Sequence, residues 1–435
     1  MSNIHLLVLV HGMWGNPRHL AELDRIIREV KGDVETEDTK LAVLVAETNK
    51  EDSTYDGIDW GGERVAQEVF DEIKKHEDAG KKVTKFSITG YSLGGLIARY
   101  LIGILHQKQF FEKITPVNFN TIATPHIGIP RFQSTFSSIA SFLGPRLLSR
   151  TGEQFFGVDK WSPSGRSLLE VLADPDHIFH QALVLFPNLR IYANALNDLT
   201  VPYVTAAIDD KDPFGDYENN GLEVEIDEKY KHIIISYNLP ATPPPPKEEK
   251  KDTRSWWERV RTSEPPLPPI FPRVFPLNLV LYGLIPILLP TFISLALLRL
   301  SISSRKSRSR IKMLESDKSD KNPLMHIVAK LEADLETGIM DMYDEADASR
   351  TPQGTPESSD DITKELQVQP PLLTPMQRRC IDNLNKIPQL KKERAFFKDV
   401  RNAHAMIVCR DVKRFQFHEE GEGVLRHWAD HFVLV

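Results

Sequence analysis

The chain opens on a nearly unbroken apolar run, Ile4-His5-Leu6-Leu7-Val8-Leu9-Val10, the pattern of a parallel strand covered on both faces. From about His19 to Val30 the rhythm changes: Leu20, Leu23, Ile26, Ile27 and Val30 form one stripe of an amphipathic helix. Leu41 to Val45 predicts the next strand, and a turn-rich link through Gly57, Gly61 and Gly62 leads to a second helix, Val65 to His76. Phe86 and Ile88 then sit in a β-favouring run, while Leu93, Ile97 and Leu101 recur at helical spacing, so the period switches at Ser92. Val117 to Ala123 and Leu189 to Ala195 predict two further strands. Strand and helix alternate, which predicts an α/β fold with a mainly parallel sheet and helices on both faces.

Between 130 and 186 the sheet signal is absent, yet Phe136, Ile139, Phe142, Leu143, Leu147, Leu148, Phe155 and Phe156 crowd the segment. A lid over a site and a set of packing helices account for this equally well. The first part of the core closes at 238. Residues 239–272 form a Pro-rich linker, stiff and solvated. Residues 273–312 hold an apolar run free of charge between Arg273 and Arg299, long enough for a membrane, then a basic flank of Arg299, Arg305, Lys306, Arg308, Arg310 and Lys312. Residues 313–375 are acidic and rich in Ser, Thr and Pro, a composition that predicts disorder. Core patterning resumes over 376–435, with a helix from Met376 to Asn385 and a last edge strand from Ala395 to Val400.

Composition narrows the function. With 54 basic and 61 acidic residues in 435, the net charge of −7 argues against a nucleic-acid partner. Cys380 and Cys409 offer neither a disulfide framework nor metal-ligand spacing, so no metal or organic cofactor is expected and a reducing compartment is. No basic stretch precedes Ile4 to Val10, which therefore reads as a strand rather than a signal peptide.

The chemistry concentrates at Gly90-Tyr91-Ser92-Leu93-Gly94-Gly95. In Gly-x-Ser-x-Gly the serine occupies a strained strand-to-helix turn, and Gly90 and Gly94 are required where a Cβ would strike backbone. Ser92 is the candidate nucleophile, and the N–H of Leu93 a candidate oxyanion donor. The loop His11-Gly12-Met13-Trp14-Gly15 leaves the first strand at the carboxyl edge of the sheet, making the N–H of Met13 the candidate second donor. Asp198, in a polar turn after a predicted strand, is placed to orient a base. His404 follows the last predicted strand and completes the chain order nucleophile, acid, base. His126 comes too early for this role and reads as a packing residue, while His418, His427 and His431 lie beyond the expected loop.

Val8-Leu9-Val10-His11-Gly12, Gly57-Ile58-Asp59, the Ser92 elbow, Thr124-Pro125-His126-Ile127-Gly128, Asn197-Asp198-Leu199-Thr200-Val201-Pro202 and Ala403-His404-Ala405-Met406-Ile407-Val408 together resemble the serine-esterase and lipase-like family of fungi and plants. Some fungal members of it act as phospholipases on lipid droplets. The resemblance covers residues 1 to about 238 and about 376 to 435. It implies an α/β-hydrolase fold and acyl-ester hydrolysis, with Ser92, Asp198 and His404 in the triad positions.

Because the triad is split across the apolar segment, a single crossing would leave Ser92 and His404 on opposite sides of a bilayer. Gly283, Pro286 and Pro290 suggest a re-entrant hairpin over 273–312 instead, suited to a lipid-droplet monolayer or the cytosolic leaflet of the endoplasmic reticulum. A buried apolar helix under the lid is the competing reading. The leading functional expectation is a cytosol-facing serine lipase or phospholipase acting on glycerophospholipids or glycerides. An acyl-protein thioesterase and a non-catalytic membrane tether with the same fold are the alternatives.

Overall fold

The computed structural model describes residues 3–32, 39–240, 277–316, 370–400 and 402–435. Its centre is a sheet of six parallel strands: β1 (Asn3–Val10), β2 (Thr39–Val45), β3 (Lys82–Tyr91), β4 (Thr115–Ile122), β5 (Asn188–Asn194) and, after a long excursion, β8 (Leu390–Ala395). They lie in the order β2-β1-β3-β4-β5-β8. The apolar run of β1 splits by the two-residue period of a strand. Leu6, Val8 and Val10 enter one core, and Leu7 and Leu9 the other.

On the first face pack α2 (Ile58–Asp78), α3 (Leu93–Gln107), α6 (Leu168–Ala173), α7 (Ile178–Val184) and α10 (Pro375–Asn385). On the second pack α1 (Ala21–Lys31), the loop around Met406 and α11 (Glu422–Asp430). Helix α2 begins seven residues before the apolar pattern does, because its glycines serve packing. A Cβ on Gly62 would lie 2.5 Å from Cδ1 of Tyr100, so the missing side chains let α2 approach α3 closely. A hairpin of β6 (Glu223–Ile226) and β7 (Ile234–Asn238) lies outside the main sheet.

Three expectations change. The edge strand is Leu390–Ala395 rather than 395–400, although its Leu-Lys-Lys-Glu-Arg-Ala sequence is mostly charged. An edge strand tolerates this because its charges find partners beside it: Glu393 pairs with Arg190 of β5 and Lys392 with Asp209. The apolar Phe396 and Phe397 lie just beyond the strand, Phe397 buried in the second core. Between 130 and 186, α6 and α7 are core helices, whereas α4 (Thr135–Leu147) leaves Ile139 and Phe142 exposed and α5 (Ser149–Phe155) packs beneath it.

The third concerns the expected hairpin over 273–312. Leu277–Ser316 is one helix, α9, and it continues through Gly283, Pro286 and Pro290. Prolines four residues apart remove hydrogen bonds from one face and bend the helix without reversing it. Just beyond them Thr291 Oγ1 donates to the Ile287 carbonyl at 2.7 Å. The two ends of α9 differ. Ile287, Phe292 and Leu295 are 66%, 71% and 61% exposed, whereas Ser303, Ser304, Ser307 and Ile311 are buried against the domain. Ser304 Oγ donates to the Arg146 carbonyl at 3.1 Å, and Arg310 Nη2 bonds Asp56 Oδ1 at 2.7 Å. Part of the basic flank therefore binds protein; Arg299, Arg305, Lys306 and Lys312 remain exposed. Most of the two expected linkers, 241–272 and 317–369, lies outside the described residues.

Candidate active site

The strand order reverses between β1 and β3, which are neighbours in the sheet but leave toward opposite ends of it. In open α/β sheets ligands bind at such a point, beyond the carboxyl ends of the strands. The loop after β1 brings Met13 here, and the turn from β3 into α3 brings Ser92.

Ser92 holds φ 55° and ψ −125°, a strained conformation for a residue with a side chain. A Cβ on Gly90 would collide with the carbonyl of Gly94, and one on Gly94 with the carbonyl of Val10, so both glycines are forced by close approach. A Cβ on Gly12 would lie 2.7 Å from Cβ of Ser92, which shows how tightly the β1 loop approaches the serine.

Asp198 and His404 converge on the same point. His404 Nε2 lies 3.1 Å from Ser92 Oγ, and His404 Nδ1 lies 2.9 Å from Asp198 Oδ2. An ionised carboxylate only accepts, which fixes the proton on Nδ1 and leaves Nε2 free to accept from the serine. Burial pushes the Asp198 carboxyl up, but the His404 imidazole, its hydrogen bond and those from Val201 N–H and Asn194 outweigh this and hold it below the usual value. Thr200 N and Val201 N donate to Oδ1 at 3.0 and 2.8 Å, and Asn194 Nδ2 donates to Oδ2 at 2.8 Å.

Residues without a sequence-level role hold these loops together. Asn197, at φ 60°, donates from Nδ2 to the carbonyls of Phe397 and Lys398 at 2.9 and 3.1 Å, while its own carbonyl accepts from Ala403 N at 2.8 Å. The acid loop and the histidine loop are thus bound directly to each other, although 206 residues separate Asp198 from His404. Tyr91 donates its hydroxyl to the His404 carbonyl at 2.9 Å, and its ring lies 5.2 Å from the imidazole. An asparagine two residues after the predicted strand Leu189 to Ala195, where a left-handed turn is needed, was the available signal for Asn197. Nothing local marks Tyr91 or Asn194.

The other histidines lie elsewhere. His126 is buried and neutral, with Nε2 2.8 Å from Thr121 Oγ1; burial, then Arg99 and Lys392, hold it well below the ordinary histidine value. His418 bonds Asp411 N, and His427 bonds Tyr192.

Beside Ser92 opens a cleft of about 670 Å³. Its walls are mainly apolar, including Ile129, Phe132, Leu148, Phe155, Phe156 and Leu199, and Ser137 and Ala140 of α4 form part of the rim. No lysine or arginine lines it. Among the described residues no group of His, Cys, Asp and Glu side chains could hold a metal ion.

The six parallel strands, the elbow on β3, and the acid and histidine loops after β5 and β8 define an α/β-hydrolase fold. Residues 1–209 match the family model described as "Putative serine esterase (DUF676)". Two curated relatives are similar over the same region. "Putative lipase C4A8.10" of Schizosaccharomyces pombe is 30% identical over 214 residues, covering 48% of this chain and 26% of that protein. "Putative lipase ROG1" of Saccharomyces cerevisiae is 28% identical over 206 residues, covering 47% of this chain and 28% of that protein. The matched region spans about a quarter of the length of these relatives. Among solved structures, a Lactobacillus plantarum protein described as a putative cell surface hydrolase aligns over 47% of this chain and 74% of its own, with 13% identity and a TM-score of 0.27. Phospholipase PlaB from Legionella pneumophila aligns over 46% of this chain and 41% of its own, with 15% identity and a TM-score of 0.27.

Proposed function

We propose that the chain is a serine lipase or phospholipase, hydrolysing acyl esters of glycerophospholipids or glycerides at a membrane or lipid-droplet surface. The single observation that carries this reading is the Ser92–His404–Asp198 relay, with contacts of 3.1 and 2.9 Å, at the mouth of an apolar cleft. Ser92 Oγ attacks the ester carbonyl while His404 Nε2 takes its proton, and Asp198 stabilises the imidazolium. The N–H groups of Leu93 and Met13 receive the developing oxyanion. His404 returns the proton to the departing alcohol, and water repeats the sequence on the acyl-enzyme. The cleft would take an acyl chain, since its apolar walls offer a charged headgroup no cationic partner.

The exposed half of α9 is the proposed lipid contact. Both flanks of α9 must lie on one side if Ser92 and His404 are to meet, so α9 enters one leaflet or a monolayer rather than crossing. A droplet or endoplasmic-reticulum surface facing the cytosol fits, and Arg299, Arg305 and Lys306 would meet anionic headgroups there.

The test is labelling by a fluorophosphonate and fatty-acid release from mixed phospholipid and triglyceride droplets, each compared with Ser92→Ala. Labelling and release should both vanish in the variant, with hydrolysis falling by about 10⁴-fold or more. Release that persists in a folded Ser92→Ala protein would exclude Ser92 as the nucleophile.

A further inference from the structure

We propose that α9 is also part of the catalytic apparatus: through Arg310 and Tyr55 it positions the loop Gly12–Gly15 that presents the Met13 N–H to the oxyanion. This rests on the hydrolase reading above and adds to it two positioning residues, neither of which touches substrate.

The loop needs outside support. Trp14 is held at φ 53°, and within the loop one turn bond, Gly15 N to the Gly12 carbonyl at 3.1 Å, closes it. The other bonds run to the short 3-10 turn Glu51–Tyr55. Trp14 N donates to Thr54 Oγ1 at 3.2 Å, Trp14 Nε1 donates to the Tyr55 hydroxyl at 2.8 Å, and Glu51 N donates to the Gly15 carbonyl at 3.1 Å. The residue after the candidate donor is thus fixed at both its backbone and its side chain by this turn.

That turn is itself clamped by α9. Arg310 Nη2 donates to the Asp52 carbonyl at 2.7 Å and to Asp56 Oδ1 at 2.7 Å, and Arg310 Nε reaches Asp56 Oδ2 at 3.2 Å. The Asp56 side chain is fully buried, so its pairing with Arg310 is shielded from water. Ser303 of α9 is itself buried, and the Tyr55 hydroxyl in the clamped turn receives the Trp14 indole N–H. A short route therefore leads from α9 to the residue beside Met13: Arg310 holds the turn, and Thr54 and Tyr55 of the turn hold Trp14. On the far side, Thr151 Oγ1 of α5 donates to the Thr54 carbonyl at 2.7 Å, so the turn is wedged between α5 and α9.

An oxyanion donor acts only when it is pre-placed, and an error of about 1 Å is enough to cost up to a hundredfold in rate. The predicted signature is therefore a loss in kcat on a substrate that needs neither lipid nor a full cleft.

The experiment uses the full chain with p-nitrophenyl butyrate. Tyr55→Phe keeps the ring and removes the acceptor for the Trp14 indole N–H. Arg310→Ala releases the turn while Arg64, 2.5 Å from Asp56 Oδ2, still pairs that carboxylate. Each should lower kcat about tenfold, with KM within about twofold and the melting temperature within a few degrees of wild type. Arg310→Lys should recover part of the loss. Two folded variants with wild-type kcat, or with a rise in KM alone, would overturn the proposal while fluorophosphonate labelling of Ser92 left the hydrolase reading standing. A wild-type protein that is neither labelled nor active would overturn both.

Discussion

At the scale of single residues, Glu63 makes the sharpest prediction. It lies one helical turn after Asp59 on α2, is 8% exposed, and neither carboxyl oxygen has a hydrogen-bond partner among the described residues. Asp59 is instead committed to Arg150, Gln154 and Trp161. Burial first, then the negative charge of Asp59, pushes the Glu63 carboxyl up to about 8 from 4.5. The folded chain therefore keeps a proton that the unfolded chain loses, and stability falls as pH rises from about 4.5 to about 8. The contribution is at most about 5 kcal/mol at 1.36 kcal/mol per unit. Glu63→Gln removes this titration without changing shape. In urea unfolding the variant should gain on the wild type steadily from pH 5 to pH 8, and parallel curves would show that Glu63 is not protonated in the native state. The same scale marks what the sequence could reveal of the site. Ser92, Gly90 and Gly94 announce themselves because a strained elbow admits few residue types. Asp198 and His404 follow from chain order and from their places after strands. Asn194, Asn197 and Tyr91 do not, because their partners are reached only when β5, β8 and the turn after β3 lie side by side.

At the scale of elements, hydrophobic period identified the inner strands and four of the helices that cover them, α1, α2, α3 and α10, because those positions are buried for simple geometric reasons. It failed where another interaction outweighed burial. The charged strand β8 is held by ion pairs at a sheet edge, and the apolar pair Phe396-Phe397 just past it drew the expected strand too late. Helix α2 began before its apolar stripe because Gly61 and Gly62 serve its contact with α3. These two glycines separate two effects. Replacing glycine by alanine inside a helix gains about 1 kcal/mol of propensity. At Gly61 the new Cβ would meet the flexible end of Ile97, at 2.9 Å from Cδ1, which can shift. At Gly62 it would meet Tyr100, whose ring stacks on Phe179 at 4.9 Å and lies edge-on to Trp161 at 6.1 Å, so it has nowhere to go. Gly61→Ala should therefore be near neutral in stability, and Gly62→Ala should cost about 1–3 kcal/mol. Denaturant midpoints of the two variants check this, and equal values would mean that the α2–α3 contact is looser than its distances indicate.

For the whole molecule, α9 carries two surfaces of opposite character on one rod. Its C-terminal half fits the α/β domain through buried serines and Arg310, and its N-terminal half presents Ile287, Phe292 and Leu295 to solvent. The largely exposed stretch from Pro286 to Ile302 would run about 26 Å at 1.5 Å per residue. Among the described residues it is the one helix long and apolar enough to cross a membrane, by length and composition. Nearby, α4 exposes Ile139 and Phe142 while its Ser137 and Ala140 line the cleft, and Trp14 and Leu199 stand exposed at the same opening. The apolar surface is therefore shared between the cleft rim and the helix that docks beside it, an arrangement through which the proposed lipase would draw an acyl chain from a surface without releasing it to water. This predicts a separation of two properties. Burying a large apolar side chain in lipid contributes about 1.5–3 kcal/mol, so Phe292→Asp with Leu295→Asp should weaken partition to phospholipid-coated droplets by about 100-fold or more. Neither residue belongs to the docked half, so kcat on p-nitrophenyl butyrate should stay at the wild-type level while hydrolysis of droplet lipid falls with binding. If flotation with droplets were unchanged, α9 would not be the lipid contact, and the rim residues Trp14, Phe142 and Leu199 would be the next to substitute.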